Sequence, residues 1–149
     1  MPLVALMYVS AAMVAWGTPI FDRIRRSSAH HNERLGITGL LLYSSGSFLQ
    51  LIEGEERAVI NTFNRIERDP RHTDITVVDW QFIVDRRFGQ WGMATRRLGE
   101  SEVAAHPHLA PYFEGGFDAR ALAARPEIAA EILAVAARDE GVGSARREP

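Results

Sequence analysis

The chain contains no cysteine, which excludes disulfides, cysteine-ligated zinc, iron–sulfur clusters and any thiol nucleophile. It contains no lysine either: all 17 basic residues are arginine. Schiff bases form on a lysine amine and a P-loop needs a lysine at the phosphates, so both chemistries are closed to it. Long hydrophobic runs are missing as well. The apolar stretch from Leu3 to Trp16 has only about 14 residues, too few to span a bilayer, and lacks the basic n-region of a signal peptide. A soluble, cytoplasmic protein is the expectation. An excess of one charge is also absent, since 17 basic residues stand against 19 acidic ones. The arginines are scattered rather than gathered in a stripe, which argues against a nucleic-acid footprint. Arg-Arg pairs at 25–26, 86–87, 96–97 and 146–147 mostly have acidic residues nearby and read as solvated faces.

What remains is ordinary globular composition, 46% hydrophobic and 24% charged over 149 residues. That is enough for one domain with a short appendage. A chain of this size buries roughly 68–70% of its unfolded surface and needs no disulfide or metal to fold.

Periodicity orders the elements. Val4, Leu6, Tyr8 and Ser10 line one face of a first strand, with Leu3, Ala5 and Met7 on the other. Thr18-Pro19 predicts an N-cap and a first helical position, opening a helix that ends near Arg34-Leu35-Gly36. Ile37 to Tyr43 is a β-prone run, Ser44-Ser45-Gly46 a turn, and Phe48 to Ile52 the return strand of a hairpin. Val59, Ile60, Phe63 and Ile66 recur at helical spacing, so Glu55 to Asp69 is a second helix that Asp69-Pro70 ends. Ile75 to Val84 and Trp91 to Arg97 complete a βαββαββ order. The fold class expected is α+β: a ferredoxin-like sheet with two helices on one face and a short C-terminal helical extension.

Residues 1–98 form the expected main domain. The segment 99–142 is an expected helical cap, alanine-rich over Asp118 to Asp139 and broken at Arg125-Pro126. Residues 143–149 are expected as a flexible tail. The cap should pack on the second face of the sheet, against Leu49, Leu51 and a face of Ile75 to Val84.

In such a sheet the first and third strands are central neighbours. Phe48, Gln50 and Ile52 share a face, and if that face and the one carrying Tyr8 both look toward the helices, phenol and amide meet beneath them. A phenol and an amide in a dry core each need a partner. Two readings stay open on spacing alone: a hydrogen bond that merely satisfies both groups, worth about 1 kcal/mol net, or a polar site opening between the helices onto a ligand.

Together these residues resemble the BLUF family, blue-light sensors that use FAD. The likeness runs from about residue 3 to residue 97. It rests on Tyr8-Val-Ser10, Asn32, Gly36-Ile-Thr-Gly39, Leu-Leu-Tyr43 and Phe48-Leu-Gln50-Leu-Ile-Glu-Gly54. It continues through Arg65, Asp69, His72, Arg86-Arg87-Phe88 and Trp91-Gly-Met93. The resemblance implies a flavin between the two helices, sandwiched by Ile24 and Ile66, with Asn32 on its carbonyl and imide edge. It places His31, Arg65, Asp69 and His72 around the pyrimidine end and ribityl chain, and Phe48 in the same cofactor-binding set. FAD is the implied cofactor, with FMN or riboflavin as substitutes, and no metal.

By the same resemblance Tyr8 and Gln50 are the photochemical pair. Illuminated flavin draws an electron and a proton from Tyr8, and Gln50 emerges with its hydrogen bonds exchanged by rotation or tautomerisation. A small red shift follows, with the flavin oxidised and non-covalently bound, in keeping with the missing cysteine. Ser10, Trp91 and Met93 are the implied signal relay. With the fifth strand beside the first, Trp91 or Met93 would pack near Gln50. Gly92 stands where the family often has serine, so a hydroxyl contact is missing there.

The function implied is a stand-alone photoreceptor, not an enzyme, that signals through a homo-oligomer or an unidentified downstream protein, with no nucleic acid and no membrane. Two alternatives stay open: a small dimeric enzyme of monooxygenase type on a ferredoxin-like fold, and a flavin-free interaction module.

Overall fold

Alternation of side chains across each strand gives the sheet two buried faces, and each face is covered by a different part of the chain. The computed structural model describes residues 2–89, 91–99, 101–102, 105–113, 115–138 and 143–146, with backbone alone at 91–93 and 143–146. The elements are β1 (Leu3–Ala12), α1 (Pro19–Leu35), β2 (Thr38–Ser44), β3 (Ser47–Glu55), α2 (Glu56–Glu67), β4 (His72–Ile83) and β5 (Trp91–Arg97). A 3-10 turn at Ala110–Tyr112, α3 (Ala119–Ala124), α4 (Pro126–Arg138) and β6 (Gly143–Arg146) follow. Strand order is β4-β1-β3-β2-β5-β6. β2 and β5 run parallel, and the other neighbours are antiparallel. This is the expected ferredoxin-like arrangement, with β1 and β3 side by side at the centre.

Two details differ from expectation. β5 does not lie beside β1. Both edges of β1 are already occupied, by β3 and β4, so β5 adds to the free edge of β2. Of the segment 143–149 expected as a tail, Gly143–Arg146 pairs antiparallel with β5, whose outer edge would otherwise present unpaired backbone groups, and 147–149 lie outside the described residues.

The caps are local and legible. The Thr18 hydroxyl accepts from the Phe21 amide at 3.2 Å, with Pro19 at the first helical position. Gly36, at φ 68°, ends α1 in the left-handed conformation that glycine adopts without a Cβ penalty. Its amide donates to the Glu33 carbonyl and the Ile37 amide donates to the Asn32 carbonyl at 2.8 Å, so the last turn holding Asn32 is locked.

α1 and α2 cover one face through Phe21 and Val59, packed on Val4, Leu6, Leu41, Phe48 and Ile52. α3 and α4 cover the other through Leu122, Ile132 and Leu133, packed with Leu49, Leu51, Met7 and Val78. The described helices include none long and apolar enough to cross a membrane.

Candidate functional site

Tyr8 and Gln50 are directly paired across β1 and β3. Both side chains point toward α1 and α2, and the residues are only 3% and 5% exposed. The phenol donates a hydrogen bond to Gln50 Oε1. Burial, and then the nearby Asp69 carboxylate, push the Tyr8 pKa up, so the phenol is neutral. Phe63 and His72 meet its ring edge-on, at centroid distances of 5.9 and 6.0 Å.

Above this pair a cleft opens between α1 and α2. Tyr8, Ile24, His31, Asn32, Phe48, Gln50, Arg65, Ile66, Asp69 and His72 all line it. Every cofactor-contacting residue expected from the sequence is therefore gathered in one place. The reason is helical and strand periodicity acting together: one stripe of each helix and one face of β1 and β3 converge.

At the mouth, Arg65 of α2 donates to His31 Nδ1 of α1, and His31 Nε2 lies 3.2 Å from the Thr62 hydroxyl. An Nδ1 that accepts leaves the proton on Nε2, so the ring is neutral. Burial, with Arg65, Arg34 and His30 adding repulsion, lowers the His31 pKa in the same sense. Arg65 and Asp69 do not form the ion pair that their spacing on a helix allows. Asp69 instead receives the Arg71 guanidinium, at 2.6 Å, and the Arg71 amide at 3.0 Å. Those bonds hold its carboxyl below the usual range.

His72 is the first residue of β4. Its Nε2–H donates to the Ile66 carbonyl at 2.6 Å, and its Nδ1 lies 2.9 Å from the Ser10 hydroxyl. Ser10 stays outside the cleft lining and reaches the site through this ring. The side chains of Trp91 and Met93 lie outside the described residues.

Sequence reasoning missed Ser27, Ser28, Leu41, Thr62 and Arg71, which also line the cleft. Thr62 carried a signal: a polar residue inside the apolar stripe Val59, Phe63, Ile66. Arg71 carried one in the turn Asp69-Pro70-Arg71.

A mixed ferredoxin-like sheet with a polar pair at the floor of an interhelical cleft has the form of a small-molecule site. The family profile described as BLUF, sensors of blue-light using FAD, matches residues 3–94. The chain belongs to that family. It is 34% identical over 108 residues to the photoactivated adenylate cyclase subunit beta of Euglena longa, a match covering 72% of this chain and 12% of that protein. The chain thus spans about an eighth of that relative's length. The dark-state structure of BlrB, a BLUF protein, superposes with a TM-score of 0.69 at 36% identity, over 90% of this chain and 94% of that one. The photo-activated state of BlsA superposes with a TM-score of 0.72 at 21% identity, a likeness of fold.

FAD is the family's cofactor, and the residues present fit it. Asn32 is 2% exposed, yet its amide makes no hydrogen bond among the described residues and borders the cleft. An amide facing the cleft offers a donor and an acceptor side by side, and the imide edge of a flavin matches that pair. Ile24 and Ile66 supply an apolar wall from each helix.

Proposed function

We propose that this chain is a blue-light receptor in which Tyr8 and Gln50 carry the photochemistry and α3 and α4 carry the output. The observation that supports it is the buried phenol-to-amide hydrogen bond at the floor of the cleft. Ile24 and Ile66 would hold the ring of FAD between them, Asn32 its polar edge, and His31, Arg65, Asp69 and His72 its pyrimidine end and side chain. Bound FAD supplies absorption of blue light and, once excited, an oxidant for a neighbouring phenol.

The rest belongs to the protein. Tyr8 is neutral and buried, so it loses an electron and a proton together rather than a proton alone. The hydrogen bond to Gln50 Oε1 is the path by which the proton leaves Oη. Electron and proton then both return, and the phenol is restored. Gln50 keeps the change: its amide ends with donor and acceptor directions exchanged, because the group that fixed them was briefly a radical.

Output starts from the reverse side of the same strand. Leu49 and Leu51 flank Gln50 in sequence and pack with Leu122, Ile132 and Leu133. A shift in β3 is therefore felt first by α3 and α4, which would pass it to a second copy of the chain or to a downstream protein.

The test is the dark-minus-lit difference spectrum of protein loaded with FAD. A small red shift that reverses in darkness is the expected result. FAD bound in full with no shift under blue light refutes the proposal.

A further inference from the structure

Glu53 is a carboxylate only 1% exposed, on the same strand as Gln50 and three residues beyond it. Its position across from Thr38 is set by the β2–β3 register. Glu53 Oε2 accepts the Arg87 amide at 2.6 Å, and Oε1 accepts the Phe88 amide at 2.8 Å. The Thr38 hydroxyl donates to Oε1 at 3.4 Å. Arg86 closes the arrangement from the other side. One of its guanidinium nitrogens donates to the Gly36 carbonyl at 2.6 Å, the Thr38 hydroxyl at 2.9 Å and the Glu53 carbonyl at 3.2 Å.

The bonds of Arg86, Arg87 and Phe88 grip the connection between β4 and β5. That connection has a long way to go, because β4 is one edge of the sheet and β5 lies beyond β1, β3 and β2. Four strand spacings of ~4.8 Å make about 19 Å. Eight Cα steps from Ile83 to Trp91, at ~3.3–3.6 Å each, reach about 26–29 Å at full extension. The crossover has little slack. Where it passes over the ends of β3 and β2, Glu53 and Thr38 meet it, and Phe88 turns into the core of the second face.

Resting on the proposed function, we propose that Glu53 is a positioning residue for the photocycle. Its buried carboxylate pins the Arg87–Phe88 turn to the Gln50 strand, and so sets where β5 enters and how long the rearranged Gln50 persists. The same strand would then transmit in both directions, to α3 and α4 through Leu49 and Leu51, and to β5 through Glu53. Arg86 adds a third tie, since Gly36 closes the helix end that locks Asn32.

Glu53→Gln is the discriminating variant, because it keeps size and shape while turning one acceptor into a donor facing an N–H. Two measurements are made on the full chain. In apo protein, amide hydrogen exchange at Arg87 and Phe88 should speed up by about tenfold, the consequence of one lost buried bond, while amides of β1 stay unchanged. In FAD-loaded protein, the red shift should persist and its dark recovery should change by at least about threefold, a factor above ordinary scatter on the scale where tenfold is ~1.4 kcal/mol. Arg86→Met, which leaves Glu53 in place, should change recovery in the same direction and covers the case in which Glu53→Gln fails to fold. If wild-type protein shows no shift, the proposed function falls and this inference with it. If wild-type protein shifts but the variants recover at its rate, or the exchange at 87 and 88 is unaltered, the inference alone is overturned.

Discussion

The phenol of Tyr8 and the carboxamide of Gln50 are direct cross-strand neighbours, so sheet register brings the two groups into hydrogen-bond reach. Removing either group should abolish the light response without opening the fold. Tyr8→Phe and Gln50→Leu are expected to bind FAD and to show no red shift. A normal photocycle in either variant would contradict the roles assigned here.

Asn32 carries a different kind of burden. Its amide is buried and its last helical turn is locked by Gly36 and Ile37, so it is presented to the cleft with little freedom left to lose. Asn32→Ala should weaken FAD binding by about 1–3 kcal/mol, or roughly 5- to 150-fold in Kd. Equilibrium titration with FAD, followed by flavin fluorescence, measures this directly.

His31 makes the protein sensitive to mild acid. Its folded pKa is depressed below the ordinary value near 6.5 by burial and by Arg65, Arg34 and His30. Between the two values the unfolded chain binds the extra proton, so stability is lost as pH falls through that window. Protonation at Nδ1 also ends its acceptance of the Arg65 hydrogen bond. Urea midpoints should therefore drop from pH 7.5 to pH 5.5, and His31→Gln should show a smaller drop. An equal drop in wild type and variant counts against this account.

Gly39 is a packing requirement inside β2. A Cβ at this position would sit 1.9 Å from the Leu51 carbonyl oxygen, on the neighbouring strand. No rotamer change relieves a clash with backbone, so Gly39→Ala should cost more than ~2 kcal/mol. Thermal unfolding monitored by circular dichroism checks it; a stability within ~0.5 kcal/mol of wild type would show that the strands separate more easily than their register implies.

Several elements were legible because their cause is local. The Thr18-Pro19 start and Gly36 end of α1 follow from capping chemistry, and the sharing of one face by Val4, Leu6 and Tyr8 follows from a two-residue period. Local patterns also led astray. Arg86 and Arg96 read as members of solvated pairs, yet Arg86 bonds three oxygens at the end of the sheet and the Arg96 side chain is only 11% exposed beside Glu102. A charged pair has the same sequence appearance whether water or oxygens of the protein receive it.

Period and capping chemistry therefore define the strands, the two helices and which residues share a face with Tyr8 and with Gln50, since each depends on residues within a few positions. Which edge β5 joins, that Asp69 takes Arg71 instead of Arg65, and that Glu53 receives two amides 34 and 35 positions away are settled at another level. Those outcomes depend on which backbone edges and buried donors are still unpaired once the central strands have come together, a condition that exists only in the folded chain.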